Sequence, residues 1–387
     1  MEKMEEKACL CALNRIFGFT PKTGLALISH IGSASGIFSL SHDELSSALG
    51  KMSSVTARIT ASSVDKAAAE LERLKEMGIG FVGWTEDEYP DLLRECEDAP
   101  VGLYVRSDTP MQDLWLPQRR IAVVGTRDIS PYGREWCQRT VSALSCADDK
   151  PVVISGLALG TDFLAHRTAL EHGLPTIAVM ATGPDDVYPA RHRDFAEKIA
   201  RTPRCALITD YPPGTVPMPV NFLRRNRIIA GLSDSTILIE SKIKGGGMMT
   251  SRLAFSYNRE VYALPGRADD IRSQGCNQLI KSKIAEPITS TDELIDSLGL
   301  KCTGRREISL NPDTVGQHYK TLSEDRVRNI CRIMALIRKR RGISIEDVAV
   351  ETGLSYGVTS DIIGMLEMDG FISLDLLQRC MVNIKKI

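Results

Sequence analysis

The stretch FLRRNRIIAGLSD, residues 222–234, is followed without a break by STILIE, residues 235–240. The first has the periodicity of a helix, and the second is a continuous apolar run typical of a buried strand. Three arginines surround Asn226 at the front of the predicted helix, so this short segment combines concentrated positive charge with planar hydrogen-bonding groups. Such a cluster suits a polyanionic ligand, although a solvated helix face with one structural ion pair would also explain it.

The helical phase assigns different roles to the three arginines. With 3.6 residues per turn, Arg225 shares a face with the apolar residues Phe222 and Ile229. We expect Arg225 to need a carboxylate or phosphate partner there, because an unpaired buried guanidinium costs about 3 to 5 kcal/mol. Arg224 and Arg227 lie on another face, so they are predicted to stay hydrated and to reach a ligand.

Strands and helices alternate around this stretch, from residue 119 to residue 300. Apolar strand patterns occur at IAVVG (121–125), VVIS (152–155), TIAVM (176–180), ALITD (206–210), STILIE (235–240) and EVYALPG (260–266). Continuous apolar strands between helices predict a parallel sheet covered on both faces, which is a doubly wound α/β domain. In such a domain, ligands bind outside the carboxyl ends of the strands.

Glycine and cationic residues follow several of these predicted strands. The first strand leads into Gly125-Thr126-Arg127, the second into SGLALGTD (155–162), and the fifth into SKIKGGGMMTS (241–251) with Lys242 and Lys244. Glycines at these corners let backbone N–H groups approach an anion. The sequence therefore predicts a phosphate-rich ligand at one rim of the sheet.

Small-nucleotide and catalytic alternatives fit these loops less well. The chain has GTR where a dinucleotide-binding fold has GxGxxG, and it contains no GxxxxGK[ST] motif. Ser155, Asp162 and His166 lie close in sequence, but Ser155 is not in a GxSxG motif, and the other two are better explained as supports of the loop. The glycines at 245–247 are similar to the PGGxGT loop of nucleotide phosphoribohydrolases, which is the best enzyme alternative, but the proline and a following glutamate are missing. We expect no catalytic residue, cofactor or metal.

Composition limits the class of protein and the position of any anion site. The 387 residues allow two or three domains, and the 48 Lys and Arg residues almost balance the 49 Asp and Glu residues. A polyanion site must therefore be a local patch. The ten cysteines show no zinc or disulfide spacing, and no run is long and apolar enough to span a bilayer, so we expect a cytoplasmic protein with reduced thiols.

The first 83 residues read as a helical domain. Helices are predicted at residues 10–16, 24–30, 41–49 and 62–77, and the turn GFTPKTG (18–24) is of the kind used by helix-hairpin-helix DNA binders. Thr20 stands where such a turn usually has its second glycine, so packing is the favoured role of this hairpin over phosphate contact. Residues 84–116 are predicted to be a connector with one short strand, GLYVR.

The motifs GTRDISPYG, SGLALGTDFLAHRTAL, NFLRRNRIIAGLSDSTILIE and REVYALPG with GCNQLI occur in order between residues 85 and 295. As a set they resemble the DNA-processing protein A (DprA, also called Smf) family. The resemblance implies an extended Rossmann-like domain over residues 84–300 that is not an enzyme and binds single-stranded DNA. It also implies a homodimer that loads RecA recombinase onto incoming DNA during natural transformation.

Site residues are assigned by the resemblance and by the cationic rim together. Leu223, Gly245, Gly247 and the pair Lys283-Ile284 depart from the family pattern. Phe222 and Tyr211 are candidates for base stacking, with a core position favoured for Phe222. The predicted DNA-binding residues are Arg127, Ser155, Gly156, Arg224, Arg225, Asn226, Arg227, Lys242 and Lys244.

The C-terminal part is predicted to be a polar linker, residues 301–325, and a winged helix-turn-helix domain, residues 326–387. A basic helix at 326–341 precedes the motif. The predicted recognition helix, residues 356–368, has no Arg or Lys, which favours protein contact or self-association over sequence-specific duplex binding. The basic run at 338–341 leaves nonspecific DNA contact open.

Overall fold

A computed structural model of the protein describes residues 2–50, 53–116, 118–303, 318–319, 322–340, 342–369, 371–375 and 378–382. The chain divides into two compact units, Met1–Cys302 and Thr303–Ile387. Each unit has an apolar core of its own. Among the helices within the described ranges, none combines the length and apolar character needed to cross a membrane.

The first unit begins with helices that match the predicted ones. Ser41 and Glu44 form the predicted capping box, in which each side chain accepts a hydrogen bond from the other residue's backbone N–H. The helices are α1 (Glu2–Phe17), α2 (Pro21–Ile31), α3 (Ala34–Phe38), α4 (His42–Leu49), α5 (Ser53–Thr56) and α6 (Ala61–Glu76).

Strands and helices then alternate, and the strands form one nine-stranded sheet in the order β1-β2-β6-β5-β4-β3-β7-β8-β9. In the sheet, the strands β6-β5-β4-β3-β7-β8-β9 all pair parallel with their neighbours in this series. This confirms the predicted α/β class with a large, mostly parallel sheet. The elements are β1 (Ile79–Gly83), α7 (Asp91–Arg94), β2 (Gly102–Arg106), α8 (Met111–Leu114), β3 (Arg120–Val124), α9 (Pro131–Leu144), β4 (Val152–Ser155), α10 (Thr161–Glu171), β5 (Thr176–Val179), α11 (Arg193–Arg201), β6 (Ala206–Thr209), α12 (Pro219–Gly231), β7 (Ser235–Leu238), α13 (Gly246–Ser256), β8 (Glu260–Ala263), α14 (Gln274–Lys281), β9 (Glu286–Pro287) and α15 (Thr291–Ser297).

One edge of the sheet differs from the prediction. Strand β1 was not predicted, and it pairs antiparallel with β2, which pairs antiparallel with β6. The sequence of β1, IGFVG, contains two glycines and follows directly on α6, so its strand pattern is weak. The predicted boundary between residues 83 and 84 therefore falls between two strands of one sheet, and the N-terminal helices pack as part of the first unit.

Helices cover both faces of the parallel strands. In β3, Ile121 and Val123 pack into a cluster with residues of α9, α10 and α15, whereas Ala122 and Val124 pack into the cluster that contains α1, α12 and α13. Because successive side chains of a strand point to opposite faces, these clusters lie on opposite sides of the sheet. The carboxyl ends of the strands are thus left as the open rim on which a ligand site is expected.

In its described residues, the second unit contains three helices and a small antiparallel sheet in the order β10-β12-β11. The predicted helix at 356–368 is confirmed, with the Ser355 hydroxyl accepting a hydrogen bond from the Val358 N–H as its cap. Most of the predicted linker and Arg341 lie outside the described residues. The elements are α16 (Glu324–Lys339), β10 (Ile343–Ser344), α17 (Ile345–Thr352), α18 (Tyr356–Met368), β11 (Ile372–Leu374) and β12 (Arg379–Val382).

Candidate nucleic-acid interface

A cavity of about 670 Å³ opens at the carboxyl ends of the parallel strands. We call it the rim cavity. Loops that follow five strands contribute to its walls: Thr126–Asp128 after β3, Ala158–Asp162 after β4, Tyr188 after β5, Pro217–Leu223 after β6, and Ser241–Gly247 after β7. The predicted meeting of these loops at one rim is therefore observed.

Cationic side chains line the rim cavity. Arg127, Lys242 and Lys244 are exposed on its walls, and none of them forms an ion pair with another described residue. The exposed carboxylate at this rim, Asp128, pairs instead with Arg272 at 2.9 Å. The positive charges of these three side chains are therefore available to a ligand.

Arg225 lies beneath them, almost fully buried at 3% exposure, which confirms the predicted burial of this side chain. Its Nη1 atom donates a hydrogen bond to the Val179 carbonyl oxygen at 2.6 Å, whereas its Nε atom has no hydrogen-bond partner among the described residues. Burial lowers the pKa of Arg225, and the negative charge of nearby Asp162 acts in the opposite direction. Burial likewise raises the pKa of Asp162, and Arg225 opposes that rise. Asp162 is thus the expected carboxylate near Arg225. The hydrogen bond of Arg225, however, goes to a backbone carbonyl.

Two helices begin beside the rim cavity. Helix α10 begins after Gly160 and α13 after Gly245, and neither helix has a side-chain cap. Gly160 has a φ of +75°, and a Cβ there would lie 2.4 Å from the Thr126 carbonyl oxygen, so only glycine fits between the two loops. Uncapped helix N-termini carry partial positive charge and bind anions readily. They add to the field of the cationic side chains.

An aromatic group stands beside the cations. The Phe222 ring is half-buried and lines the cavity, with the Arg127 guanidinium carbon 4.8 Å from its centroid and the Tyr188 ring 5.5 Å away, edge to face. The favoured prediction of a core position for Phe222 is therefore wrong. Tyr211, the other stacking candidate, is buried at 5% exposure and donates a hydrogen bond to the Asn221 carbonyl oxygen, so it offers no open ring face.

Arg227 does not line the rim cavity, and the prediction that it stays hydrated is wrong. It is 7% exposed, forms an ion pair with Asp210 at 2.6 Å and donates a hydrogen bond to the Asp98 carbonyl oxygen. The physical reason is that the connector between β1 and β2 returns to cover this side of α12. The helical phase alone does not reveal such a covering segment.

Arg224 also points away from the rim cavity. Its guanidinium carbon lies 4.0 Å from the Phe19 ring centroid and 5.5 Å from that of Tyr211, and it donates hydrogen bonds to the Gly18 carbonyl oxygen and the Tyr211 hydroxyl. The turn between α1 and α2 therefore covers part of this side chain. Asn226, by contrast, lines the cavity, with Nδ2 3.5 Å from the Gly246 carbonyl oxygen.

Ser155, Gly156 and His166 lie behind the cavity wall. The Ser155 hydroxyl is fully buried and donates to the Val123 carbonyl oxygen at 2.6 Å. The Thr176 hydroxyl donates its proton to the Val153 carbonyl oxygen, so Nδ1 of His166, 2.7 Å from that hydroxyl, must be the donor. Burial lowers the pKa of His166 to about 3, with Arg225 as a further cause, so this imidazole is neutral at pH 7.

Sequence reasoning missed two residues of this region. Tyr188 lies in the loop after β5, and its only signal is its position after a predicted strand at the same rim. Glu240, at the end of the STILIE run, is 1% exposed and accepts hydrogen bonds from the Ser130 N–H at 2.9 Å and the Ser130 hydroxyl at 2.5 Å. It thereby fixes the loop that carries Arg127. Within the described ranges, no three His, Cys, Asp or Glu side chains are grouped to hold a metal ion.

The chain is similar to known proteins over most of the first unit. The family model described as DNA recombination-mediator protein A matches residues 80–299. The putative DNA processing protein DprA of Mycobacterium tuberculosis is 30% identical over 318 residues, which are 79% of this chain and 78% of that protein. Protein Smf of Synechocystis is 34% identical over 59% of this chain, and the match spans 56% of the length of that relative.

Two solved structures are similar to the chain as well. The DNA processing protein A structure from Streptococcus pneumoniae superposes with a TM-score of 0.61 and 27% identity, covering 76% of this chain and 96% of that one. A structure of the Helicobacter pylori protein, described as giving insight into its single-stranded DNA binding mode, has a TM-score of 0.50 and 28% identity, covering 57% of this chain and 95% of that one.

Proposed function

Because the chain belongs to the DNA recombination-mediator protein A family, also known as DprA or Smf, we propose that it binds single-stranded DNA in the rim cavity. The observation that carries this proposal is the convergence of Arg127 and the pair Lys242 and Lys244, from two separate loops, with Arg225 of α12 on one cavity. The single-stranded DNA binding named for the Helicobacter pylori relative supports the choice of ligand.

Phosphate groups are the proposed ligands of the exposed cations and of the helix N-termini. Arg127, Lys242 and Lys244 reach the cavity as flexible, exposed side chains, and the N–H groups at the start of α13 lie beside the two lysines. Contacts to phosphate carry no sequence information. Binding is therefore expected to be strong at low salt, weak at high salt and independent of base sequence.

Bases are proposed to stack on Phe222. Its ring lies at the cavity wall between Arg127 and Tyr188, so one aromatic face is available next to a cation. Stacking on an aromatic ring tolerates any base and requires that the base be unpaired. This arrangement favours a single strand over a duplex, whose bases are stacked on one another.

Ser155, Gly156, Asn226 and Arg227 are assigned different parts in the same proposal, whereas Arg224 does not line the rim cavity. Asn226 lines the cavity and is proposed to contact DNA with Arg225. Ser155, Gly156 and Arg227 are proposed to support the wall, since their contacts are to buried protein groups.

We also propose a dimeric, cytoplasmic protein that passes single strands to RecA recombinase during natural transformation. The description of the matching family as a recombination mediator supports this step. For the second unit we propose a winged helix-turn-helix, supported by the order α17, α18, β11 and β12. Its helix α18 carries no Arg or Lys, which supports contact with protein rather than with a duplex.

A phosphoribohydrolase-like activity has less support, because the buried carboxylates near the cavity are already engaged. Asp162 lies beside Arg225, and Glu240 accepts hydrogen bonds from Ser130. Incubation with nucleoside monophosphates, followed by chromatography for released base, tests it directly. We expect no base to be released, and release would favour the enzyme.

The proposed function is tested by fluorescence anisotropy with labelled single-stranded and double-stranded oligonucleotides of equal length at two ionic strengths. We expect tighter binding of the single strand at both, little difference between base sequences, and a marked loss of affinity at the higher ionic strength. Equal binding of the duplex, or affinity for one sequence alone, would contradict the proposal.

A further inference from the structure

The turn Gly18–Thr20 presents an aromatic side chain next to the rim cavity without contributing to its lining. Phe19 lies in the turn that connects α1 to α2, and its side chain is 70% exposed. Leaving a large apolar side chain in water is less favourable than burying it. The exposed ring is therefore a candidate contact surface rather than a part of the core.

Arg224 gives this ring a cationic neighbour. Its guanidinium carbon lies 4.0 Å from the Phe19 centroid, within the range of a cation–π contact. Its hydrogen bonds go to neutral oxygens of Gly18 and Tyr211, and no carboxylate pairs with it in the part of the chain that the structure describes. The positive charge of Arg224 thus stays available at the surface.

The position of the turn is fixed by buried contacts. The Asn14 side chain, 2% exposed, donates a hydrogen bond to the Asp210 carbonyl oxygen at 2.9 Å and accepts one from the Gly102 N–H at 3.2 Å. These bonds tie the last turn of α1 to two strands of the sheet. Phe19 and Arg224 are therefore held side by side before any ligand arrives.

This pair is continuous with the rim cavity along α12. Leu223 is 47% exposed and lines the cavity, and Arg224 is the next residue. We expect a strand that leaves the cavity past Leu223 to turn along α12 toward Arg224 and Phe19. The flat ring and the unpaired cation match the two parts of a nucleotide, its base and its phosphate.

We infer that Phe19 and Arg224 form a second binding site for single-stranded DNA, outside the rim cavity, in which a base stacks on Phe19 and Arg224 contacts the adjoining phosphate. This inference rests on the proposed function, because it extends the path of the strand that the cavity holds. With this second site, the N-terminal hairpin would increase the length of single-stranded DNA that one chain contacts.

The test compares Phe19→Ala with the wild type in the full chain, using a series of labelled oligothymidylates measured by anisotropy. The series begins at the shortest oligonucleotide that the wild type binds. We expect unchanged affinity at the shortest lengths and a loss of about fivefold or more once the strand is long enough to reach the hairpin. Phe19→Trp is expected to retain the wild-type affinity, and Arg224→Ala to lose affinity at the same lengths.

Phe255→Ala is the matched control, because Phe255 is likewise exposed, at 50%, and lines a different cavity beside β8 and β9. Equal affinity of Phe19→Ala and wild type at every length would overturn the second site, provided that Arg127→Ala still weakens binding. A loss for Phe19→Ala that is already complete at the shortest length would also overturn it. If Arg127→Ala and Lys244→Ala have no effect, the proposed function itself fails.

Discussion

Nη1 of Arg225 occupies the space in which a side chain at residue 156 would begin, since an ideal Cβ on Gly156 would lie 1.7 Å from this atom. The close approach lets Arg225 cross the end of β4 and donate to the Val179 carbonyl oxygen. The glycine is thus required by the buried guanidinium that forms the floor of the rim cavity. Ligand contact is not needed to explain it.

Gly156→Ala is therefore expected to displace Arg225. Overpacking of this kind costs about 1 to 3 kcal/mol of unfolding free energy, and the displaced guanidinium also perturbs the cavity, so both the melting temperature and DNA affinity should fall. In the double variant Gly156→Ala/Arg225→Ala the clash is absent. In thermal melts, the loss of stability in the double variant should then be smaller than the sum of the losses in the two single variants. A loss equal to that sum would show that the contact between residue 156 and Arg225 does not determine the stability.

Arg227→Ala is expected to destabilise the fold without changing the salt dependence of DNA binding. Its partner Asp210 is buried, and removing one member of a buried ion pair costs about 3 to 5 kcal/mol. Arg193→Ala is the matched control, because its ion pair with Asp186 is largely exposed and is worth about 1 kcal/mol at most. Equal melting temperatures for the two variants would contradict the buried ion pair.

His166 makes stability depend on pH. Its pKa is lowered to about 3 in the folded chain from an ordinary value of 6.5, so between these values the unfolded chain binds a proton that the folded chain does not. Stability therefore falls as the pH drops below 6.5, with a limiting slope of about 1.4 kcal/mol per pH unit for this residue.

Urea unfolding at pH 7.5, 6 and 5 measures that slope. His166→Gln should flatten it, whereas His172→Gln, a change at an exposed histidine, should leave it as in the wild type. His192, whose pKa burial also lowers, contributes in the same direction and remains in both variants. If the slope of unfolding free energy against pH is unaltered in His166→Gln, a group other than His166 causes it.

The sequence was sufficient to predict the parallel strands and the rim, because six apolar runs alternate with helices and the topology places their carboxyl ends together. For the same reason Arg127, Lys242 and Lys244 could be assigned to one site. The positions of Arg224 and Arg227 could not be predicted, since helical phase does not show that residues 18–20 and the connector near Asp98 return to cover α12. Strand β1 was not predicted because it is short, contains two glycines and follows directly on α6.

The central claim is that exposed cations of separate loops form one site for a bare DNA strand. The most direct test is the slope of log affinity against log salt concentration for a single-stranded oligonucleotide. Each phosphate contact contributes about 0.7 to that slope. The triple variant Arg127→Ala/Lys242→Ala/Lys244→Ala should therefore lose about 2 units, with an unchanged melting temperature because all three side chains are exposed.

Lys66→Ala, which removes an exposed lysine of α6 outside the rim cavity, is the control and should keep the wild-type slope. A folded triple variant with a lower affinity and a shallower slope is the result that we predict. A folded triple variant that binds the oligonucleotide with wild-type affinity and slope would contradict the account.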